Sequence, residues 1–211
     1  MSIVKPMHKR RLFYVPIYET VQPCDDEIKK EIIDWALDLH HREHDLGEIL
    51  GNPGRTYDGF RKGYCTPVLK VEDAPEHTQP VLDWIDGQMM SIDESVVAYD
   101  YEVQVIWNKG YQILSNNTTG IERYTAMYVL DFDEEYASRG LGNMNEDVGE
   151  WRFLNPNNIA RPLYEPLLPQ IGQLVIMPSE QILECLPYDG SNERPRVTVL
   201  VNYITRNPLA T

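Results

Sequence analysis

The stretch Arg196-Val197-Thr198-Val199-Leu200-Val201-Asn202-Tyr203-Ile204 limits what this 211-residue chain can fold into more than any other. It is β-branched and alternating. As a strand it sets Arg196, Thr198, Leu200 and Asn202 on one face and Val197, Val199, Val201 and Tyr203 on the other. The valine row demands burial. A mostly polar face behind it predicts the wall of a barrel whose interior is wet or occupied. Upstream, Ile171-Gly172-Gln173-Leu174-Val175-Ile176-Met177 reads as an apolar strand entered through a glycine turn and stopped by Pro178-Ser179. The two strands are expected to be joined by an irregular connection.

The rest of the second half has the same grammar. Tyr99 to Trp107 alternates for most of its length, Asn108-Lys109-Gly110 is a turn, and Tyr124 to Asp131 is another strand. Trp151-Arg152-Phe153 is a short strand, and Leu163 to Pro169 is a proline-punctuated approach to the C-terminal pair. Between them, Phe132 to Asp147 is acidic and rich in Gly and Asn, so it reads as an inserted loop. Asp131, Asp133, Glu134 and Glu135 at its start are either solvated or a calcium site, without the glycine and ligand spacing of an EF-hand.

The first half reads differently. Arg11 to Glu19 alternates as one strand, placed at a sheet edge by Pro16. Asp25 or Asp26 is a suitable N-cap for a helix to about His41 with the stripe Ile28, Ile32, Ile33, Ala36 and Leu37. Gly47 to Gly63 reads as loop. Its Arg55, Tyr57 and Arg61, with Tyr64 after it, either line something or face water. Pro75 or Pro80 opens a second helix with Val81, Leu82, Ile85, Met89 and Ile92 at helical spacing. Helices followed by many short strands predict an α+β domain spanning 1–211: residues 1–95 supply a strand and buttressing helices, and 96–205 a jelly roll or double-stranded β-helix.

Charge and cysteine usage narrow the function classes. A formal charge of -14 argues against a nucleic-acid surface, since phosphate contacts need clustered Lys and Arg. The one basic cluster, Lys5, His8, Lys9, Arg10 and Arg11, is either a solvated N-terminal arm or a contact arm for an acidic partner. Three widely spaced cysteines, Cys24, Cys65 and Cys185, suggest reduced thiols in a cytosolic setting. No apolar run approaches a membrane span, and the N-terminus lacks the apolar segment of a secretory signal.

In the second half several pieces stand in a telling order. They are Trp107-Asn108-Lys109-Gly110-Tyr111-Gln112, Thr125 to Leu130, Gly149-Glu150-Trp151-Arg152-Phe153-Leu154-Asn155-Pro156, Pro169 to Ser179, Leu186-Pro187-Tyr188-Asp189-Gly190 and Arg196 to Tyr203. Together they resemble the iron(II)- and 2-oxoglutarate-dependent oxygenases, particularly short phage and bacterial members, over about residues 100 to 205. The resemblance implies a facial triad of His-x-Asp and a distal His on iron(II), with open positions for 2-oxoglutarate and oxygen. By position the His-x-Asp falls on Ser115-Asn116-Asn117 and the distal His on Leu183, so none of the three ligands is present. All five histidines, His8, His40, His41, His44 and His77, lie in the first 77 residues, so no shift of alignment supplies one from the barrel segment. The resemblance also implies that an Arg followed two residues later by Ser or Thr holds the 2-oxoglutarate carboxylate. Arg196 and Thr198 fit, with Arg194 competing; alternatively Arg196 pairs with a protein carboxylate.

The resulting expectation is a non-catalytic oxygenase-like jelly roll with no metal or cofactor, reused as a structural or interaction component. A phage virion accessory protein is the setting it suggests, with protein partners or a homo-oligomer, in the virion or host cytoplasm. The rival is a genuine Fe(II)/2-oxoglutarate oxygenase whose ligands His40, His44 or His77 fold over the barrel mouth. A third reading is a module that binds a small carboxylate at Arg196 without catalysis. His40 and His44 also have zinc-compatible spacing, although a His-rich last turn is equally what the helix dipole favours. Cys185 is either a reactive thiol or buried apolar filler.

Overall fold

The computed structural model describes residues 7–12, 15–48, 53–57, 63–107, 112–114, 122–133, 150–155, 164–186 and 194–206. Its strands are β1 (His8–Leu12), β2 (Val15–Val21), β3 (Arg55–Tyr57), β4 (Gly63–Cys65), β5 (Leu69–Lys70), β6 (Val96–Ile106) and β7 (Gln112–Leu114). They continue with β8 (Glu122–Asp131), β9 (Trp151–Leu154), β10 (Tyr164–Leu167), β11 (Gln173–Pro178), β12 (Leu183–Cys185) and β13 (Arg196–Thr205). The helices are α1 (Asp26–His40) and α2 (Gln79–Met90). The strands form a nine-stranded sheet in the order β1-β2-β11-β8-β13-β6-β4-β3, with β5 on β6, and a four-stranded sheet in the order β10-β9-β12-β7. From β6 onward the chain crosses repeatedly between the two, with β9 and β10 as consecutive strands of the small sheet, as in a double-stranded β-helix.

The alternation of β13 decides how the layers stack. Val197, Val199, Val201 and Tyr203 are buried in one core with Tyr101, Val103, Val105, Tyr128, Leu174 and Ile176 from the same sheet. Ile32 and Ala36 of α1 and Val81, Leu82, Ile85 and Met89 of α2 complete that core, so the helices cover the outer face of the large sheet. Leu200 belongs to a second core with Ile17, Met127, Val129, Val175 and Met177, closed from the other side by Trp151, Phe153, Leu183 and Cys185 of the small sheet. This second core is the interior of the roll. A one-residue slip of β13 would put its valines inside and Arg196 under the helices. The cost of such a slip is a buried guanidinium set among the hydrocarbon side chains of the outer core.

Local chemistry fixes the helices. Asp25 caps α1 by accepting from the Glu27 N–H at 2.9 Å, and Asp26 and Glu27 favour the positive end of the helix. In α2, Pro80 occupies the first turn, where its missing N–H costs nothing. At the start of β11, Gly172 has φ +80. Its N–H donates to Val129 O at 2.9 Å and its carbonyl accepts from Gln22 N at 2.8 Å. A Cβ there would lie 2.5 Å from Pro23 N, so only glycine fits the corner joining β2, β8 and β11.

Several local expectations need correction. The strand expected over Arg11 to Glu19 is two strands, β1 and β2, paired antiparallel with Arg11 opposite Pro16. Pro16 is not at the sheet edge, because β1 holds that place. It is tolerated because β11 pairs with β2 only from Tyr18 to Val21. The segment expected as loop over 47–63 contains β3 and the start of β4, which extend the large sheet from β6. The connection between the C-terminal strands is not wholly irregular: it contains β12, and β8 lies between β11 and β13 in the sheet. No described helix is long and apolar enough to cross a membrane.

Candidate functional site

One end of the roll gathers the residues of interest. Arg196, at the start of β13, lies opposite Ile106 at the end of β6. Gln112, at the start of β7, lies opposite Cys185 at the end of β12, which in turn lies opposite Trp151 at the start of β9. Arg196 is 1 % exposed and Thr198 3 %, and both share the interior-facing side of β13 with Leu200. The anion hook expected at Arg196 and Thr198 is thus aimed into the roll. Gln104, opposite Thr198, is equally buried and donates through Nε2 to Glu102 Oε1 at 2.6 Å. Arg55 of β3 makes a salt bridge to the other oxygen of Glu102. Arg55, expected in a loop, therefore neutralises a buried carboxylate on the sheet.

Arg194, the competing hook, is engaged elsewhere. Its Nε and Nη2 donate to the two carboxylate oxygens of Asp131 at 3.1 and 2.8 Å. Lys29 of α1 also approaches Asp131, at 4.0 Å. Asp131, expected as a candidate calcium ligand, thus carries a cationic shell.

The iron ligand positions can be tested through their neighbours. Leu183 lies directly opposite Leu114, the residue before Ser115, so two of the positions that the resemblance assigns to ligands lie on neighbouring strands or next to one. Ser115 and Asn117 themselves lie outside the described residues. Leu183 is fully buried in the interior core, opposite Phe153 as well as Leu114. At the position that the resemblance assigns to the distal imidazole, the side chain is thus a buried hydrocarbon.

The histidines are all described, and none lines that interior. His8 is exposed on β1. His40 packs 4.9 Å from the Trp107 ring and 5.0 Å from the Tyr64 ring. Trp107 joins the core beneath the helices, and Tyr64 lies opposite Val105 of that same core, so His40 is on the far side of β6 from Arg196. His44 stacks on His40 at 5.1 Å, and both it and His41 bond Asp45, at 3.0 and 2.7 Å. His77 lies against Trp35 in the helical layer, beside an open acidic groove of about 670 Å³ lined by Glu31, Asp34 and Glu76. Among the described residues no cluster of three His, Cys, Asp or Glu side chains has the geometry to hold a metal. Among the described residues, none is placed to hold a ferrous ion through two imidazoles and a carboxylate.

The π-helical turn His41–Asp45 that follows α1 was not foreseen. Glu43 anchors it, accepting from Tyr64 OH at 2.8 Å and from Gly54 N at 2.7 Å. Burial and then Glu43 push the Tyr64 phenol well above its ordinary value, so it stays a donor. Burial raises Cys185 to about 11 and Cys65 to about 12, which leaves both thiols protonated and unreactive near neutrality. Cys185 is the apolar filler of the two readings offered for it.

The sequence matches no family model and no curated protein. Its architecture has clear relatives. A prolyl-4-hydroxylase from Pseudomonas putida aligns over 91% of this chain and 94% of its own, with a TM-score of 0.54 at 15% identity. An oxidoreductase of the 2OG-Fe(II) oxygenase family from Burkholderia pseudomallei aligns over 90% and 85%, with 0.53 at 12%. HygX from Streptomyces hygroscopicus, solved with nickel and 2-oxoglutarate bound, aligns over 89% and 82%, with 0.55 at 10%. Two sheets threaded alternately, helices on the outer face of the larger, and an inward Arg at the start of the last strand lead to one conclusion: the chain has the double-stranded β-helix fold of the iron(II)- and 2-oxoglutarate-dependent oxygenases.

Proposed function

We propose that this chain is a non-catalytic member of the oxygenase fold, reused as a structural or interaction component. The observation that carries the reading is Leu183, buried among Phe153, Trp151 and Cys185 at the position of the distal imidazole, with every histidine outside the interior. Fold alone does not give function, and here the site lacks the donors the reaction needs. Ferrous reconstitution of the purified protein, followed by metal analysis and 2-oxoglutarate decarboxylation, tests this. The expected result is substoichiometric iron and no turnover; stoichiometric iron with turnover would overturn it. A virion accessory role with protein partners is the setting we propose, and co-purification and cross-linking from native material test it. Failure to recover the chain in assembled particles would remove that setting.

A second reading rests on a separate observation. Arg196 and Thr198 are buried and directed inward, where a small carboxylate would meet a guanidinium and a hydroxyl two residues apart. The 2-oxoglutarate hook is compatible with these side chains although the iron site is not, and the interior serves on this reading as a carboxylate-binding module. Thermal shift with succinate or 2-oxoglutarate, lost in Arg196→Ala, is the expected result. No shift in the parent protein would end the reading.

A further inference from the structure

We propose that the outer face of the small sheet is a self-association surface, on which a second copy of this chain docks about a two-fold axis. The inference rests on the interaction-component reading and names its surface. Strand alternation defines the face. Trp151, Phe153, Leu183 and Cys185 point into the roll, so the residues between them point out. Leu154 lies opposite Tyr164, and Arg152 lies between Pro166 on β10 and Glu184 on β12. Leu168 and Ile182 continue this face just beyond β10 and β12, and Ile182 O accepts from Leu154 N at 3.0 Å. Of the six large apolar side chains exposed among the described residues, three gather here: Tyr164, Leu168 and Ile182, at 38%, 39% and 40%. The helices lie on the large sheet, across the roll from this face.

Charge selects the occupant. At -14, two copies repel at long range, so they must meet where charge is locally balanced. The helical layer fails that condition, because its groove is lined by Glu31, Asp34 and Glu76. On the small sheet Arg152 and Glu184 stand side by side on neighbouring strands. Arg152 lies over the Tyr164 ring at 4.4 Å and bonds Glu150 at 2.7 Å, which fixes its guanidinium on the face. A two-fold axis in the plane of contact, running between β9 and β12 along the strands, sets Arg152 of each copy over Glu184 of the other. The same axis lays Ile182 over Leu154. The face is thus complementary to itself, as an isologous interface requires. Four strands about 4.8 Å apart and roughly 13 Å long make a patch of about 250 Å². That is small beside the roughly 800 Å² per partner of a stable interface, so the dimer is weak and reversible.

The test is sedimentation equilibrium of the whole protein from about 1 μM to about 1 mM. The expected result is a monomer–dimer equilibrium with a dissociation constant on the order of 10–100 μM. Arg152→Glu and Glu184→Arg should each weaken the dimer about tenfold or more, since each sets like charges face to face. Mixed in equal amounts, the two variants should associate as the parent does, because their heterodimer restores both opposite-charge contacts. A folding defect in either variant could not be repaired by mixing. Ile182→Ser, a change at an exposed position, should also weaken the dimer while leaving the circular dichroism spectrum unchanged. A parent that stays monomeric up to about 1 mM overturns the inference and leaves the face to an unlike partner. A dimer that both charge reversals leave intact, or a mixture that associates no better than its parts, overturns it too. The non-catalytic reading stands or falls separately, on the iron and decarboxylation assay.

Discussion

Arg194 grips Asp131 by both carboxylate oxygens, while Arg196, two residues on, is buried at the start of β13. Fork-to-fork geometry makes this a strong pair, but the Arg194 side chain is 47% exposed, which discounts it. Arg194→Ala is expected to lower stability by about 0.5–1 kcal/mol. Asp131→Ala should cost more, because it also strips the partner that Lys29 approaches. A urea-denaturation double-mutant cycle should return a coupling of about 1 kcal/mol or less, shrinking in high salt.

Leu183 fills the interior, so shortening it opens a cavity. Leu183→Ala is expected to cost about 2–5 kcal/mol by chemical denaturation. Leu183→His alone should be destabilising and should bind no divalent metal, because it buries an imidazole among hydrocarbon side chains. Only the triple change Ser115→His, Asn117→Asp and Leu183→His supplies the full facial set. Cobalt(II) calorimetry should then show one site per chain where the parent shows none. Equal cobalt binding by the single and triple variants would refute the proposed ligand geometry.

His40 gives the fold a pH dependence of predictable sign. Burial, and secondly the facing His44, hold its pKa below the ordinary 6.5, and Asp45 and Glu43 offset this only in part. Its folded value is therefore lower than its unfolded one, and the unfolded chain binds more protons near pH 6. The contribution from His40 is complete above the unfolded value and declines as pH falls through it. The urea midpoint should drop between about pH 7.5 and 5.5, and His40→Gln should flatten that slope. A midpoint that rises on acidification in the parent but not in the variant would contradict the sign.

Gly172→Ala tests the corner between β2, β8 and β11. The added Cβ meets the Pro23 backbone at 2.5 and 2.7 Å, and φ +80 disfavours any L side chain. The expected loss is about 1–3 kcal/mol, larger than for Gly87→Ala on α2, where nothing lies within 4 Å of the new methyl. Thermal melts of the two variants side by side give the comparison, and Gly87→Ala should be neutral or stabilising.

The sequence revealed what periodicity records. The two faces of β13, the helical stripes of α1 and α2, and the glycine turn before β11 all follow from alternation, burial and backbone chemistry. The shared inward face of Arg196 and Thr198 could be placed because they are two apart on a strand. What could not be read was pairing over distance. The strands β3, β4, β5, β7 and β12 are two or three residues long, too short to show a period, and exist because neighbouring strands offer a ladder. Pro16 misled because proline marks an unpaired flank, and that flank lies beyond the reach of β11 rather than at the border of the sheet.

The alternate threading of β6 to β13 also bears on how the molecule is made. Neither sheet can be completed while the other is missing, because the strands from β6 to β13 are divided between the two layers, with β9 and β10 paired in the smaller. Val96–Ile106 must wait for Arg196–Thr205, about half the chain away, before its principal neighbour arrives. Such distant closures put the loop entropy ahead of the reward, so refolding should be slow, and fragments ending before β13 should stay unstructured and prone to clumping.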